Sequence, residues 1–279
     1  MTLITSPRNP HISKLRDLHT ARGRKKSGLF LMEGIHLLEA LLDAGMVPQE
    51  VYFQAEVLQH SAKGRALFAR LVDSGISQER LVEVNERVMQ ALGDVQTTPG
   101  VVSVLPLELF KGDRLRARRP AVKRPSLLIL DDIADPGNMG TLLRTALAAD
   151  VDSVLLTSNC VDCFSPKVVR AAAGAHVALP IEADLSWQVI AEKVARHCGK
   201  VPRVLLAEAA STRLYYEQDL TLPFALIIGN EAHGPSWEAR SLATLAVSIP
   251  LANGVESLNA AMAAGIVLFE AVRQSRQYT

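Results

Sequence analysis

Cysteine is scarce in this chain of 279 residues, and its pattern excludes two chemistries. Three cysteines cannot all pair, and Cys160 and Cys163 have no second CxxC to complete a tetrahedral zinc site. Free thiols are expected, and no metal. No apolar run approaches the roughly 18 residues of a membrane span, and the N-terminal Met1 to Pro7 lacks the apolar core of a signal peptide. The expectation is a cytoplasmic protein without a membrane partner. No GxGxxG follows any strand-like run, which disfavours a nucleotide-dependent oxidoreductase. Gly229 and Gly234 have the spacing of a phosphate loop, but Pro235 stands where that motif needs lysine, which disfavours nucleotide hydrolysis. Internal repeats and low-complexity tracts are absent as well.

What is present is a globular composition, 48% hydrophobic and 21% charged, with length for about two domains. The net charge of +1 hides an asymmetry. Residues 1–26 hold seven Lys/Arg (Arg8, Lys14, Arg16, Arg22, Arg24, Lys25, Lys26) against Asp17 alone. Residues 111–124 repeat that balance with Lys111, Arg114, Arg116, Arg118, Arg119, Lys123 and Arg124 against Asp113. Basic blocks flanking one domain suit a polyanion, although a solvated tail or linker has the same composition.

Hydrophobic periodicity divides the chain in two. A helix is predicted over 11–22, an amphipathic helix over 35–44, strands at 51–53, 81–84 and 101–105, and helices at 62–73 and 86–92. This reads as a small α/β sandwich, residues 1–106, followed by a basic linker, 107–125, bounded by prolines. From 126 to 279 the pattern restarts with the apolar strand Leu127 to Asp131 and a helix over 138–149. Strands at 153–157, 176–180, 203–207, 224–228 and 245–249 follow, with a capped helix from Ser165-Pro166 to Gly174 and another over 187–197. Strands and helices that alternate in this way form a doubly wound parallel sheet whose loops at the strand C-termini build a site.

Three stretches carry chemistry. In Asp135-Pro-Gly-Asn-Met-Gly-Thr-Leu-Leu-Arg-Thr-Ala146, Asn138 and Arg144 lie six apart on one helix, placed so that both could sit toward one side. Arg144, set among Leu142, Leu143, Ala146 and Leu147, requires either a structural ion pair or an anionic ligand. In Gly229-Asn-Glu-Ala-His-Gly234 a glycine at a strand end lets a flat ligand approach the backbone, while Glu231 either serves the site or caps the next helix. In Ile249-Pro-Leu-Ala-Asn-Gly-Val-Glu-Ser-Leu-Asn259, Ser257 stands at the expected N-cap of the last helix.

Together these three stretches resemble, in order and spacing over 127–274, the motifs of the SpoU/TrmH family of RNA ribose 2′-O-methyltransferases within the SPOUT superfamily. Ser165-Pro-Lys-Val-Val-Arg-Ala-Ala-Ala-Gly174 is similar to a further segment of that family. Phe30-Leu-Met-Glu-Gly34 gives a weaker resemblance of residues 7–105 to its substrate-binding domain. The resemblance implies a C-terminal SPOUT-type α/β parallel-sheet domain with a trefoil knot, a homodimer, and an S-adenosylmethionine site without metal. It implies cofactor contacts at Gly229, Ile249, Leu251 and Leu258, and a catalytic set of Asn138, Arg144, Glu231, Ser257 and Asn259. Arg144 acts either as base or as phosphate clamp, the former being poor chemistry for a group with a pKa above 12. RNA contacts are expected at Arg22, Arg24, Lys25 and Lys26. The activity implied is 2′-O-ribose methylation of structured RNA, ribosomal or transfer. A non-catalytic RNA-binding protein on the same fold is the competing class.

Overall fold

The structure is a computed structural model that describes residues 3–93, 100–116, 126–199 and 202–276. Its elements run β1 (Leu3–Ile4), α1 (Pro10–Arg16), α2 (Ala21–Ser27), β2 (Leu29–Glu33), α3 (Ile35–Asp43), β3 (Glu50–Phe53), α4 (Ala55–Gln59), α5 (Ala62–Asp73), β4 (Leu81–Val84), α6 (Glu86–Leu92), β5 (Val101–Pro106) and α7 (Gly112–Arg116). They continue with β6 (Ser126–Leu130), α8 (Pro136–Ala148), β7 (Ser153–Thr157), α9 (Pro166–Ala171), α10 (Ala175–Ala178), β8 (Ile181–Leu185), α11 (Trp187–Cys198), β9 (Arg203–Ala207), β10 (Phe224–Ile228), α12 (Trp237–Leu242), β11 (Leu245–Val247) and α13 (Ala260–Arg276).

Packing divides the chain into two compact units: Met1–Phe110 with Phe164–Val177, and Lys111–Cys163 with Ala178–Thr279. In the first, a mixed five-stranded sheet has the order β1-β4-β3-β5-β2. The two-residue period of β3 explains its layers. Tyr52 points to one face, where Ile12, Leu15, Val88, Met89 and Leu92 cover it, and Val51 and Phe53 point to the other, beneath Leu38, Leu58, Leu67 and Leu71. The single helix expected over 11–22 is broken, because Thr20 is extended (φ −99°, ψ 144°) and its hydroxyl accepts the Gly23 N–H, which starts α2 anew. The Phe164 ring packs 5.0 Å from Phe30, so the α9 segment belongs by packing to this first unit although it follows β7 in sequence.

The second unit is a six-stranded sheet, all parallel, in the order β11-β9-β10-β6-β7-β8. Every residue of β6, β7 and β10 is buried, as parallel strands covered on both faces must be. Leu127, Ile129, Leu155, Ala225 and Ile227 meet Ile190 and Val194 of α11. α13 lies along α8 and reaches β10. One sequence expectation fails here. Residues 176–180 are not a strand: α10 occupies Ala175–Ala178 and the strand is β8, at the sheet edge. The expected linker is helical at 107–110 and 112–116, and Arg118, Arg119, Lys123 and Arg124 lie outside the described residues.

Candidate functional site

The C-terminal ends of β9, β10 and β11, with the N-terminus of α8 and the segment leading into α13, enclose a cavity of about 700 Å³. The sheet's order reverses beside it, since β6 to β8 step one way while β10 and β9 lie on the other side of β6.

Each wall is held by a local device. Asp135 caps α8, accepting the Asn138 N–H at 2.8 Å, with Pro136 pre-set for the first helical position. After β10, the Asn230 side-chain oxygen accepts the N–H groups of Ala232 and His233 at 2.8 and 3.0 Å, while its amide donates to the Asp132 carbonyl at 2.7 Å. The buried Asp131 carboxylate accepts the Ser236 N–H at 2.7 Å and pins the far end of that loop. Gly229 is required by the fold itself: a Cβ there would sit 2.4 Å from the Pro235 nitrogen. Ligand approach is therefore not its first constraint. On the third wall Asn253 (φ 57°) and Gly254 (φ 72°) turn the chain. The cap of α13 is Asn259, whose oxygen accepts from Ala261 N at 2.9 Å and Met262 N at 3.3 Å, so Ser257 is not the N-cap. Two non-helical residues, Leu258 and Asn259, separate Ser257 from that helix, and its hydroxyl has no hydrogen bond among the described residues.

A polar relay ties the walls together. Asn259 donates through Nδ2 to Asn138 Oδ1 at 2.7 Å, and Asn138 donates through Nδ2 to Glu231 Oε1 at 2.8 Å. Its direction is fixed from both ends. An ionised Glu231 can only accept, and the N–H groups of α13 can only donate, so each amide has one permissible orientation. Asn138, Glu231, Ser257, Asn259, Gly229, Ile249, Leu251 and Leu258 all line the cavity. Arg144 does not. It is exposed on α8, outside the cavity, and its side chain makes no ion pair or hydrogen bond among the described residues. Six residues at 100° each place it about 120° around the helix from Asn138, which corrects the expectation of a shared side.

The sequence reading missed Glu208, which follows β9, and Arg240 of α12, which form an ion pair in the cavity wall. The rule that ligands bind at strand C-termini points to Glu208, but Arg240 has no local signal. Of the four basic residues of α2, Arg22, Lys25 and Lys26 are exposed. Arg24 is not: it is 3% exposed and donates to the Leu18 carbonyl at 2.7 Å, because it lies on the helix face turned to the core. Burial raises the thiol pKa of Cys160 and Cys163, and that of Cys198 to about 11, so these free thiols stay protonated at neutral pH.

The cavity fits S-adenosylmethionine in size and character. Its volume lies in the small-ligand range, Ile249, Leu251 and Val267 give apolar walls, and Asn138, Glu208 and Glu231 give polar groups.

Comparison with known proteins agrees. The sequence model described as the SpoU rRNA Methylase family matches residues 125–269, and that of an MRM3-like substrate binding domain matches 9–103. The chain is 36% identical to an uncharacterized tRNA/rRNA methyltransferase of Synechocystis sp., over 97% of this chain and 93% of that one. It is 30% identical to the 23S rRNA (guanosine(2553)-2′-O)-methyltransferase RlmP of Bacillus subtilis, over 96% and 98%. The crystal structure of an AdoMet-bound rRNA methyltransferase of Sinorhizobium meliloti superposes with a TM-score of 0.80 at 29% identity, covering 98% of this chain and 97% of that one.

Proposed function

We propose, since the chain belongs to the SpoU rRNA methylase family, that its site carries out 2′-O-ribose methylation of ribosomal RNA with S-adenosylmethionine, and we assign its residues as follows. The observation that carries the assignment is the convergence of three separate loops, 135–138, 229–235 and 249–259, on one cavity through the Asn259–Asn138–Glu231 relay.

Gly229, Ile249, Leu251 and Leu258 hold the cofactor, which when bound supplies a methyl group on a sulfonium, already electrophilic. The chain's own task is positioning, which can supply a large part of the acceleration. Glu231 and Asn259 orient Asn138, and the Ser257 hydroxyl, on the same wall, orients the incoming ribose and its phosphate. Arg144 polarises the 2′-hydroxyl and clamps the adjacent phosphate. Its place outside the cavity of its own chain supports action in a homodimer, in which it serves the cavity of the second copy. Met262 and Phe269 support that dimer: seven apart on one face of α13, they are 59% and 48% exposed.

Residues 1–106 act as the substrate-binding domain, with Arg22, Lys25 and Lys26 on RNA phosphates. The knotted path of the C-terminal unit and a cytoplasmic setting belong to the same reading. Among the described residues no helix is long and apolar enough to cross a membrane.

Titration of the protein with S-adenosylmethionine, its demethylated product, NAD and ATP tests the cofactor. The first two should bind and the last two should not, and tighter binding of NAD or ATP would refute the assignment. Mapping ribose methylation in ribosomal and transfer RNA from cells with and without the protein tests the substrate. A lost ribosomal 2′-O-methyl group is expected, and a loss confined to transfer RNA would replace that half of the reading.

A further inference from the structure

One of the chain's two tryptophans is largely exposed to water. Trp237 is 76% exposed, the most exposed large apolar side chain among the described residues, whereas Trp187, at the start of α11, is partly buried against the core. An indole left in solvent forgoes the burial that normally holds this residue type inside.

The backbone that carries it is held by hydrogen bonds on both sides. The Ser236 N–H is bound by the buried Asp131 carboxylate at 2.7 Å, the Ser236 hydroxyl caps α12 at Ala239 N at 3.1 Å, and the Trp237 carbonyl accepts from Ser241 at 2.9 Å. Its place is the rim of the cavity. His233, Gly234 and Pro235, two to four residues before it, and Arg240, one helical turn after it, all line that cavity. His233 is itself exposed.

We infer that Trp237 is a stacking platform for an unpaired base of the RNA next to the nucleotide whose ribose enters the cavity, with the His233 imidazole and the Arg240 guanidinium as neighbouring planar groups. RNA is read largely through unstacked bases in loops and ends, which stack on aromatic and guanidinium planes, and a ribose reaches an enclosed cavity only when its neighbours are drawn from their own stack. An indole whose backbone is already held at the rim receives a displaced neighbour without ordering a protein segment. The contact is the same in substrate and transition state, so it acts on KM and not on kcat. The inference rests on the RNA-methylation reading, yet stacking itself can be read without turnover.

In the full-length Trp187→Phe protein, Trp237 is the sole indole. Its fluorescence should be quenched by about half or more on saturation with a single-stranded oligoribonucleotide, and much less by a blunt RNA duplex of equal length. In methyl transfer to a ribosomal RNA fragment, Trp237→Ala should raise KM by about 5- to 100-fold with kcat within about twofold, and Trp237→Phe should recover most of the loss. S-adenosylmethionine affinity should not change in either variant. Unquenched fluorescence together with an unchanged KM overturns the platform, and leaves the methyltransferase reading standing if the wild type still methylates. Quenching by single strands in a protein that methylates no RNA upholds the platform and sinks the reading. Dissociation of a dimer by Trp237→Ala, without quenching by RNA, overturns the platform in favour of a contact between copies.

Discussion

Around the cavity of the second unit, Asn138, Glu231 and Asn259 are bonded to one another so that each has a single orientation. Along α2 of the first unit, Arg22, Lys25 and Lys26 are exposed, and their side chains make no hydrogen bond or ion pair among the described residues. The first arrangement fixes directions and the second only accumulates charge. Changes in the cavity should therefore be large and non-additive, and changes on α2 small, additive and dependent on salt.

The largest effect is expected at the residue that fits neither description. Arg144 is exposed like the basic residues of α2 but is assigned to the chemistry. Arg144→Ala should lower methyl transfer by about 10²- to 10³-fold or more, with cofactor affinity within a few fold, because the cavity walls do not include it. Arg144→Lys should rescue little if the planar fork grips a phosphate in two places. In a mixed dimer, one copy carrying Arg144→Ala and the other Asn138→Ala, partial activity would place Arg144 in its partner's cavity. Full activity of a stable Arg144→Ala protein would remove it from the mechanism.

Next comes the glycine whose role the structure revises. A Cβ at Gly229 meets the Pro235 backbone, so Gly229→Ala should already cost about 3 kcal/mol in thermal unfolding. If only the ligand excluded a side chain there, Gly229→Ala would melt normally and lose cofactor binding alone. Melting curves with and without S-adenosylmethionine separate the two.

The third prediction concerns the relay. Asn138→Ala and Asn259→Ala should each lower kcat by about 10²-fold, because each frees the walls that position the ribose. The double variant should be little worse than either single one. Additive losses would mean that the two amides act separately and that the bonds between them are incidental.

What the sequence revealed follows the same division. Strands such as β7, β9 and β10 were legible to the residue because each is an apolar run bounded by polar or turn residues, and eight of the nine cavity residues proposed from motifs line it. Three features were hidden. Val177 and Leu179 alternate as in a strand but lie in and after the helical turn α10, while the true edge strand β8 carries Glu182 and Asp184 and so looks like a loop. Ser257 and Asn259 are both good caps, and only the fold chooses between them, since Asn259 can bond Asn138 and cap α13 at once. Arg24 reads as one more basic residue of its block, and its burial depends on a helix break at Thr20 that no periodicity marks.

That hidden arginine sets up the smallest and most discriminating prediction. Lys25→Glu and Lys26→Glu should each weaken RNA binding by a few fold, equally for all sequences, and each should lower the slope of log affinity against log salt by about one, the signature of a single lost phosphate contact. Arg24→Gln carries nearly the same formal charge change as a neutral replacement of either lysine. Buried against the Leu18 carbonyl, however, Arg24 has no phosphate to release. Its replacement should lower thermal stability by about 1–3 kcal/mol and leave the salt slope unchanged. Salt titrations of the three variants, each beside its melting curve, read charge and orientation separately. A salt slope that falls with Arg24→Gln as it does with the lysine variants would mean that α2 turns its buried face outward on meeting RNA.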